Sequence, residues 1–238
     1  MTIRTESQPS LIRYLVLPLL ALALAVVSQL SPVAVHAAPG CYNEVVYGLI
    51  GDKWRALGAE RGPLGCAIGP EARSRPNWLS GGSGVFRPFQ HGYIILKWGD
   101  PEAYAVFGPI ADKWNEGGQR EAGFGYPTAD TRPTSHVGPL GGTDSGLYGE
   151  FENGGVIYWT PATGAHVVYG QIFQAWNNVG RERGLGYPTS DEEDAPAGSG
   201  WQRVSHFQQG DIYWSPDRGT EVHRFPDPRV DPGFPVVR

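Results

Sequence analysis

One phrase occurs three times in this chain, and that repetition limits its fold more than any other feature. Tyr47-Gly48-Leu49-Ile50-Gly51-Asp52-Lys53-Trp54 returns as Phe107-Gly108-Pro109-Ile110-Ala111-Asp112-Lys113-Trp114, and again as Tyr169-Gly170-Gln171-Ile172-Phe173-Gln174-Ala175-Trp176. The closing tryptophans stand 60 and then 62 residues apart. A fixed period means one structural unit copied, each copy burying part of its apolar face against its neighbours. A packing unit is written this way; a single catalytic centre is not.

Each copy predicts a short helix. Ile50 and Trp54, Ile110 and Trp114, and Ile172 and Trp176 are i, i+4 pairs that share one face. Pro109 suits a first helical turn, and Gly58, Gly117 and Gly180 stop the helices. Helices of about eight residues do not stand alone in water, so packing must hold them. A glycine turn follows (Pro63-Leu64-Gly65, Gly123-Phe124-Gly125, Gly184-Leu185-Gly186), and copies two and three run on into Tyr-Pro-Thr corners ending at Asp130 and Asp191. After a variable polar loop comes a hairpin, clearest as Phe151, Asn153-Gly154 and Val156-Ile157-Tyr158-Trp159, then a third strand. The expected class is α+β: three tandem repeats of a short helix plus hairpin and third strand, packed side by side. A closed, propeller-like ring is one arrangement they allow. The boundaries read as 1–37 for a signal peptide, 38–46 for an N-terminal segment, 47–106, 107–168 and 169–225 for the repeats, and 226–238 for a tail.

Comparing copies assigns the strand faces. Lys97, Tyr158 and Tyr213 precede the strand tryptophans, and Ile95, Val156 and Asp211 stand two residues earlier. A face that accepts Lys in one copy and Asp in another reads as solvated. Trp98, Trp159 and Trp214 then read as core, and Tyr158 and Tyr213 as exposed.

Arg4 and Arg13, the apolar run Leu15 to Val27 and the small residues of Val35-His36-Ala37 read as a secretory signal cleaved after Ala37. The run is shorter than the ~20 residues a spanning helix needs, so no membrane span is expected after cleavage. The mature chain carries 17 basic and 23 acidic residues, a net charge of −6. That balance argues against a nucleic-acid partner and against anionic lipid. Gly and Pro reach 55 of 238 residues, near the disordered range, but eight Trp and eleven Tyr demand a packed interior. Short elements joined by tight turns satisfy both. The two cysteines, Cys41 and Cys66, are expected to form one disulfide in an exported protein, stapling the N-terminus to the first repeat.

These residues resemble the LGFP repeat family, whose signature joins the glycine-proline turn to an F-x-x-G-x-I-Y-W hairpin and a return strand. The second copy fits through Gly123 to Thr128, Phe151 to Trp159 and Thr163 to Gly170, and the third through Gly184 to Asp191 and Phe207 to Trp214. The first departs: Cys66-Ala67-Ile68-Gly69-Pro70 replaces the Tyr-Pro-Thr corner. The resemblance implies an exported actinobacterial protein held to cell-wall polysaccharide, arabinogalactan or peptidoglycan, with a role in envelope integrity. It implies no cofactor.

Hydrolase motifs are weak. Gly81-Gly82-Ser83-Gly84-Val85 lacks the last glycine of a nucleophile elbow, and His91, His136, His166, His206 and His223 show no metal-ligand spacing. A wall hydrolase or esterase would need a site assembled between repeats, and a protein-interaction scaffold would need a contiguous apolar patch. Sugar binding needs flat aromatic faces beside hydrogen-bonding groups. Tyr126, Tyr158, Tyr187 and Tyr213 supply rings, Asp130 and Asp191 supply carboxylates, and the loop residues Trp78 and Trp201 lie outside the repeated core positions. Turn capping is the competing role for both aspartates, and lidding of its own repeat the competing role for each loop tryptophan. No metal site and no catalytic residue are assigned.

Overall fold

A computed structural model describes residues 41–74, 83–116, 124–134, 136–137, 143–144 and 146–226. The signal segment, Trp78, Gly117 and most of the tail lie outside the described residues.

The first unit holds helix α1 (Gly48–Ala56) and strands β1 (Ala72–Ser74), β2 (Gly84–Phe89), β3 (Gly92–Lys97) and β4 (Tyr104–Phe107). The second holds α2 (Pro109–Glu116), β5 (Arg132–Pro133), the short pair β6 (His136–Val137) and β7 (Thr143–Asp144), then β8 (Leu147–Glu150), β9 (Val156–Thr160) and β10 (Gly164–Val168). The third holds α3 (Gly170–Asn178), β11 (Glu193–Asp194), β12 (Arg203–Phe207), β13 (Gly210–Ser215) and β14 (Gly219–Arg224). The architecture is α+β, with three four-stranded antiparallel sheets ordered β1-β2-β3-β4, β10-β9-β8-β5 and β11-β12-β13-β14. Each helix is fixed by the same device. The indole N–H of Trp54, Trp114 or Trp176 donates to the carbonyl of Gly65, Gly125 or Gly186, at 2.9, 3.3 and 3.2 Å. At Gly186 the backbone is left-handed (φ +81°), and a Cβ there would meet the Gln208 side chain at 2.6 Å.

One face of each sheet packs on its own helix. Ile94, Ile157 and Ile212 lead this face and are all fully buried. The opposite face packs on the next unit: Ile95 joins the cluster of Ile110, Trp114 and Tyr126, and Tyr158 joins that of Ile172, Trp176 and Tyr187. This corrects the solvated-face expectation. Tyr158 is 2% exposed, and Val156 and Ile95 are buried beside it. The polar signal had two sources: Asp211 of the third copy, where no further unit follows, and Lys97 of the first, which stands two residues past Ile95, the strand counterpart of Tyr158 and Tyr213. The cross-strand row Phe86–Ile95–Tyr104 of the first sheet becomes Tyr148–Tyr158–His166 in the second and Val204–Tyr213–Glu221 in the third. In the last row Glu221 is exposed and Tyr213 half-buried, with no further unit over them, while Val204 stays buried. Among the described residues the three sheets stay separate and no closed, propeller-like ring is found. The strand tryptophans are corrected too: Trp98 is 53% exposed, and Trp159 and Trp214 are half-buried.

Salt links tie the units together. Lys53 of α1 pairs with Asp130 at 2.9 Å, and Lys113 of α2 pairs with Asp191 at 2.6 Å. The same aspartates accept the N–H of Ala105 on β4 and Val167 on β10, at 2.8 and 2.9 Å. The sequence terminates this series at both ends. Ala175 stands at the lysine position of the third helix, and Pro70 at the aspartate position of the first corner. Cys66 takes the place of Tyr126 and Tyr187, and its disulfide to Cys41 draws the N-terminal segment over the first unit. Buried Arg87 donates to the carbonyls of Val45 and Glu44 at 3.2 Å each, securing that segment.

Candidate functional site

The expected site residues fall into three groups. Tyr126 and Tyr187 are 1% and 0% exposed, so their rings offer no face to a ligand. Their backbone amides are capped by Glu152 and Gln208, and the Tyr187 hydroxyl donates to Thr134 at 2.8 Å. Asp130 and Asp191 serve the junctions between units. Burial opposes the Asp191 charge, but the His166 ring 3.5 Å away and hydrogen bonds from Lys113 and the Val167 amide hold its carboxyl well below the usual carboxylate range. Neither aspartate is an isolated turn cap.

Tyr213 and Trp201 are brought together, on the outer face of the third sheet. Their ring centroids are 6.1 Å apart, and Tyr213 lies 4.8 Å from the His223 ring. The Arg218 guanidinium sits over Trp201 at 4.0 Å, a cation–π contact that fixes the loop tryptophan. Carboxylates surround the strip. Asp211 meets His206 Nδ1 at 2.6 Å, Glu193 meets His206 Nε2 at 3.1 Å, and Glu221 meets His223 at 2.6 Å. Tyr158 does not share this surface; it stacks on Tyr148 at 5.5 Å and 17°, between the second and third units.

His206 is held by its two acids. Burial works against its charge, but the hydrogen bond and charge of Asp211, then those of Glu193, outweigh it and raise its pKa above 6.5. A raised folded value means the protonated ring stabilises the fold. That contribution is complete below the unfolded value of about 6.5 and fades as pH rises through the folded one. An NMR titration of the His206 ring is expected to show a midpoint above 6.5, and Asp211→Asn to bring it back down. An unchanged midpoint in the variant would refute the pairing.

A cleft of about 420 Å3 opens between the second and third units. It is lined by Pro133, Thr134, Tyr148, Tyr158 and Asn177, and by the turn Gly180-Arg181-Glu182-Arg183. Arg181 donates through Nε to Asn177 at 2.7 Å and through Nη1 to the Tyr158 hydroxyl at 3.4 Å, and it rests on the Phe173 ring at 5.0 Å. Glu182 is 6% exposed. Burial first, and the Glu182 charge second, push the Tyr158 phenol far above its ordinary value despite the opposing pull of Arg181, so it stays neutral. Glycosidases use two carboxylates across the scissile bond; among the described residues lining the cleft, Glu182 is the one carboxylate. Sequence reasoning missed this cleft. The signal was the exchange of Ala59 in copy one for Arg181 in copy three, within otherwise matching Ala59-Glu60-Arg61 and Arg181-Glu182-Arg183 turns.

The LGFP repeat model matches residues 124–184 and 185–225. The chain carries LGFP repeats. The matched segments begin at the glycine turn and run through the hairpin, so they cover the walls of the cleft and the whole terminal strip. The first unit lies outside the match, in keeping with its Cys66 corner and missing aspartate. No curated protein matches the chain. LGFP repeats are typical of secreted or cell-surface proteins, and no helix among the described residues is long and apolar enough to cross a membrane.

Proposed function

We propose that this LGFP repeat chain is an exported, non-catalytic module that binds cell-wall polysaccharide, arabinogalactan or peptidoglycan, and supports envelope integrity. The observation that carries the reading is the Trp201–Tyr213–His223 strip with its border of carboxylates. A pyranose has an apolar C–H face that lies against a flat ring and hydroxyls that bond to flanking acids. The strip supplies both, with the Arg218 guanidinium over one face of Trp201. Individual contacts of this kind are weak, and repetition along a polymer raises the retained fraction.

Retention on purified arabinogalactan and peptidoglycan tests the reading. Each ring is worth about 0.5–1.5 kcal/mol, so Trp201→Ala with Tyr213→Ala is expected to weaken retention by roughly tenfold. No retention of the natural chain on either polymer, at any salt, would sink the proposal.

A further inference from the structure

We propose that the N-terminal edge of the first unit joins two copies of this chain into a closed dimer, through residues 44–47 of each copy. Neither the terminal strip nor its ligand enters this pairing.

Residues 44–47 hold the place of a return strand without its hairpin. Glu44-Val45-Val46-Tyr47-Gly48 aligns with Tyr104-Ala105-Val106-Phe107-Gly108, which contains β4, and with His166-Val167-Val168-Tyr169-Gly170, which contains the end of β10. In those inner copies the strand is shared between two cores. Val106 and Val168 pack beside Ile110 and Ile172 of the following helix, while Ala105 and Val167 pack beside Ile94 and Ile157 of the preceding hairpin. The N-terminal segment keeps the first half of that arrangement, with Val46 buried beside Ile50. It lacks the second half: Val45 is 77% exposed and Tyr47 64%. The segment is nevertheless fixed. Tyr47 is extended, at φ −122° and ψ 176°, like Tyr169 at −146° and 176°. The Tyr42 amide donates to Ala67 at 2.7 Å and Arg55 to the Val46 carbonyl at 3.0 Å, beside the Arg87 bonds to Val45 and Glu44. Among the described residues, the N–H groups of Glu44, Val45, Val46 and Tyr47 find no acceptor. An ordered, unpaired edge of this kind is a template for an antiparallel strand.

The same segment of a second copy is the partner that fits. Exposed edges are ordinarily blunted by lysine, proline or a bulge. Residues 42–49 carry one charge, Glu44, and neither lysine nor proline. Five of the eight exposed large apolar side chains among the described residues lie at this end (Tyr42, Val45, Tyr47, Leu49 and Ile68), so the partner must bring apolar surface. The edge strand β14 at the far end of the array does not: it exposes Glu221, His223 and Arg224, and docking it here would strip water from those charges. Two identical segments related by a two-fold axis run antiparallel, cover apolar surface with apolar surface, and leave no half-filled edge for a third copy.

Sedimentation equilibrium of the chain in its exported form tests the pairing, at loadings up to about 1 mM, the weak end of specific association. The mass is expected to rise from one copy towards two and to stop there. Val45→Asp with Tyr47→Ser should weaken the dimer about tenfold or more, because an unpartnered carboxylate resists burial between the segments. Both side chains are exposed, and serine suits the cap position at 47, so the thermal midpoint of this variant should not fall. Val45→Ile enlarges the apolar face and should tighten the dimer, an effect in the opposite direction that a folding defect would not produce. Trp201→Ala with Tyr213→Ala should leave the dimer unchanged, so failure of the terminal-strip reading and failure of this one are distinguishable. A single copy at every loading, growth beyond two copies, or undiminished association in Val45→Asp with Tyr47→Ser would each overturn the assignment.

Discussion

Replacing Trp176 by alanine is expected to destabilise the chain by about 3–5 kcal/mol, the cost of emptying a large aromatic site in a packed core. The residue is fully buried and touches both units that meet there. Its ring lies edge-on to Tyr158 of the second sheet at 4.9 Å and near Phe207 of the third at 5.3 Å. Its indole N–H also holds the Gly186 turn at 3.2 Å. The midpoint of thermal unfolding should fall by roughly 10 °C for a chain of this size. Trp54 occupies the same place in the repeat but is half-buried, and its ring partner is Phe89 at 6.0 Å. Trp54→Ala should therefore cost clearly less. Urea unfolding of the two variants measures the difference, and equal losses would contradict the view that the interior junction bears more of the stability than the first unit.

Breaking the Cys41–Cys66 disulfide should cost about 2–5 kcal/mol, with ~3 kcal/mol from loop closure alone. The bridge spans 25 residues. It replaces a contact that the other copies obtain differently. Tyr187 reaches back to Thr134 of the preceding unit, and Tyr126 packs into the cluster that holds Ile95 of the first unit. The first copy has no preceding unit, so Cys66 recruits the N-terminal segment instead. Releasing it should free Val46 from the core and take the carbonyl partners from buried Arg87. Unfolding with and without reductant measures the effect; a shift under about 1 kcal/mol would mean that the segment stays docked without the bridge.

The local pattern of the repeat was legible in the sequence because it depends on neighbours within a few residues. The Ile–Trp spacing gave the helices, and α2 begins at Pro109 as a first-turn proline requires. The Asn153-Gly154 pair gave the hairpin turn, with Gly154 in the left-handed region at φ +74°. The faces of the strands were misread for an identifiable reason. Treating the copies as interchangeable let Asp211 of the terminal unit speak for Val156, and aligning Lys97 with Tyr158 displaced the first copy by two residues, because Ile95 holds that place in the sheet. The ends of an array differ from its middle because only the middle is covered twice. The same differences, read as end effects, explain Pro70, Ala175 and Cys66 together.

The candidate sites were less visible still. Trp201 and Tyr213 stood out separately, but 12 residues separate them in the chain, and only the β12–β13 pairing places their rings together. Arg181 and Tyr148 come from different units, and nothing in their spacing signals a common cleft.

Sequence alone determined the repeat, its helix, its turns and its disulfide, because each rests on short-range geometry or on a unique pair. The tertiary structure decided which face of each sheet is solvent and which is interior. That choice depends on whether another unit packs against the face, and it fixes the fate of the tyrosines: Tyr158 is enclosed by the third unit, while Tyr213, at the same place in the repeat, meets water.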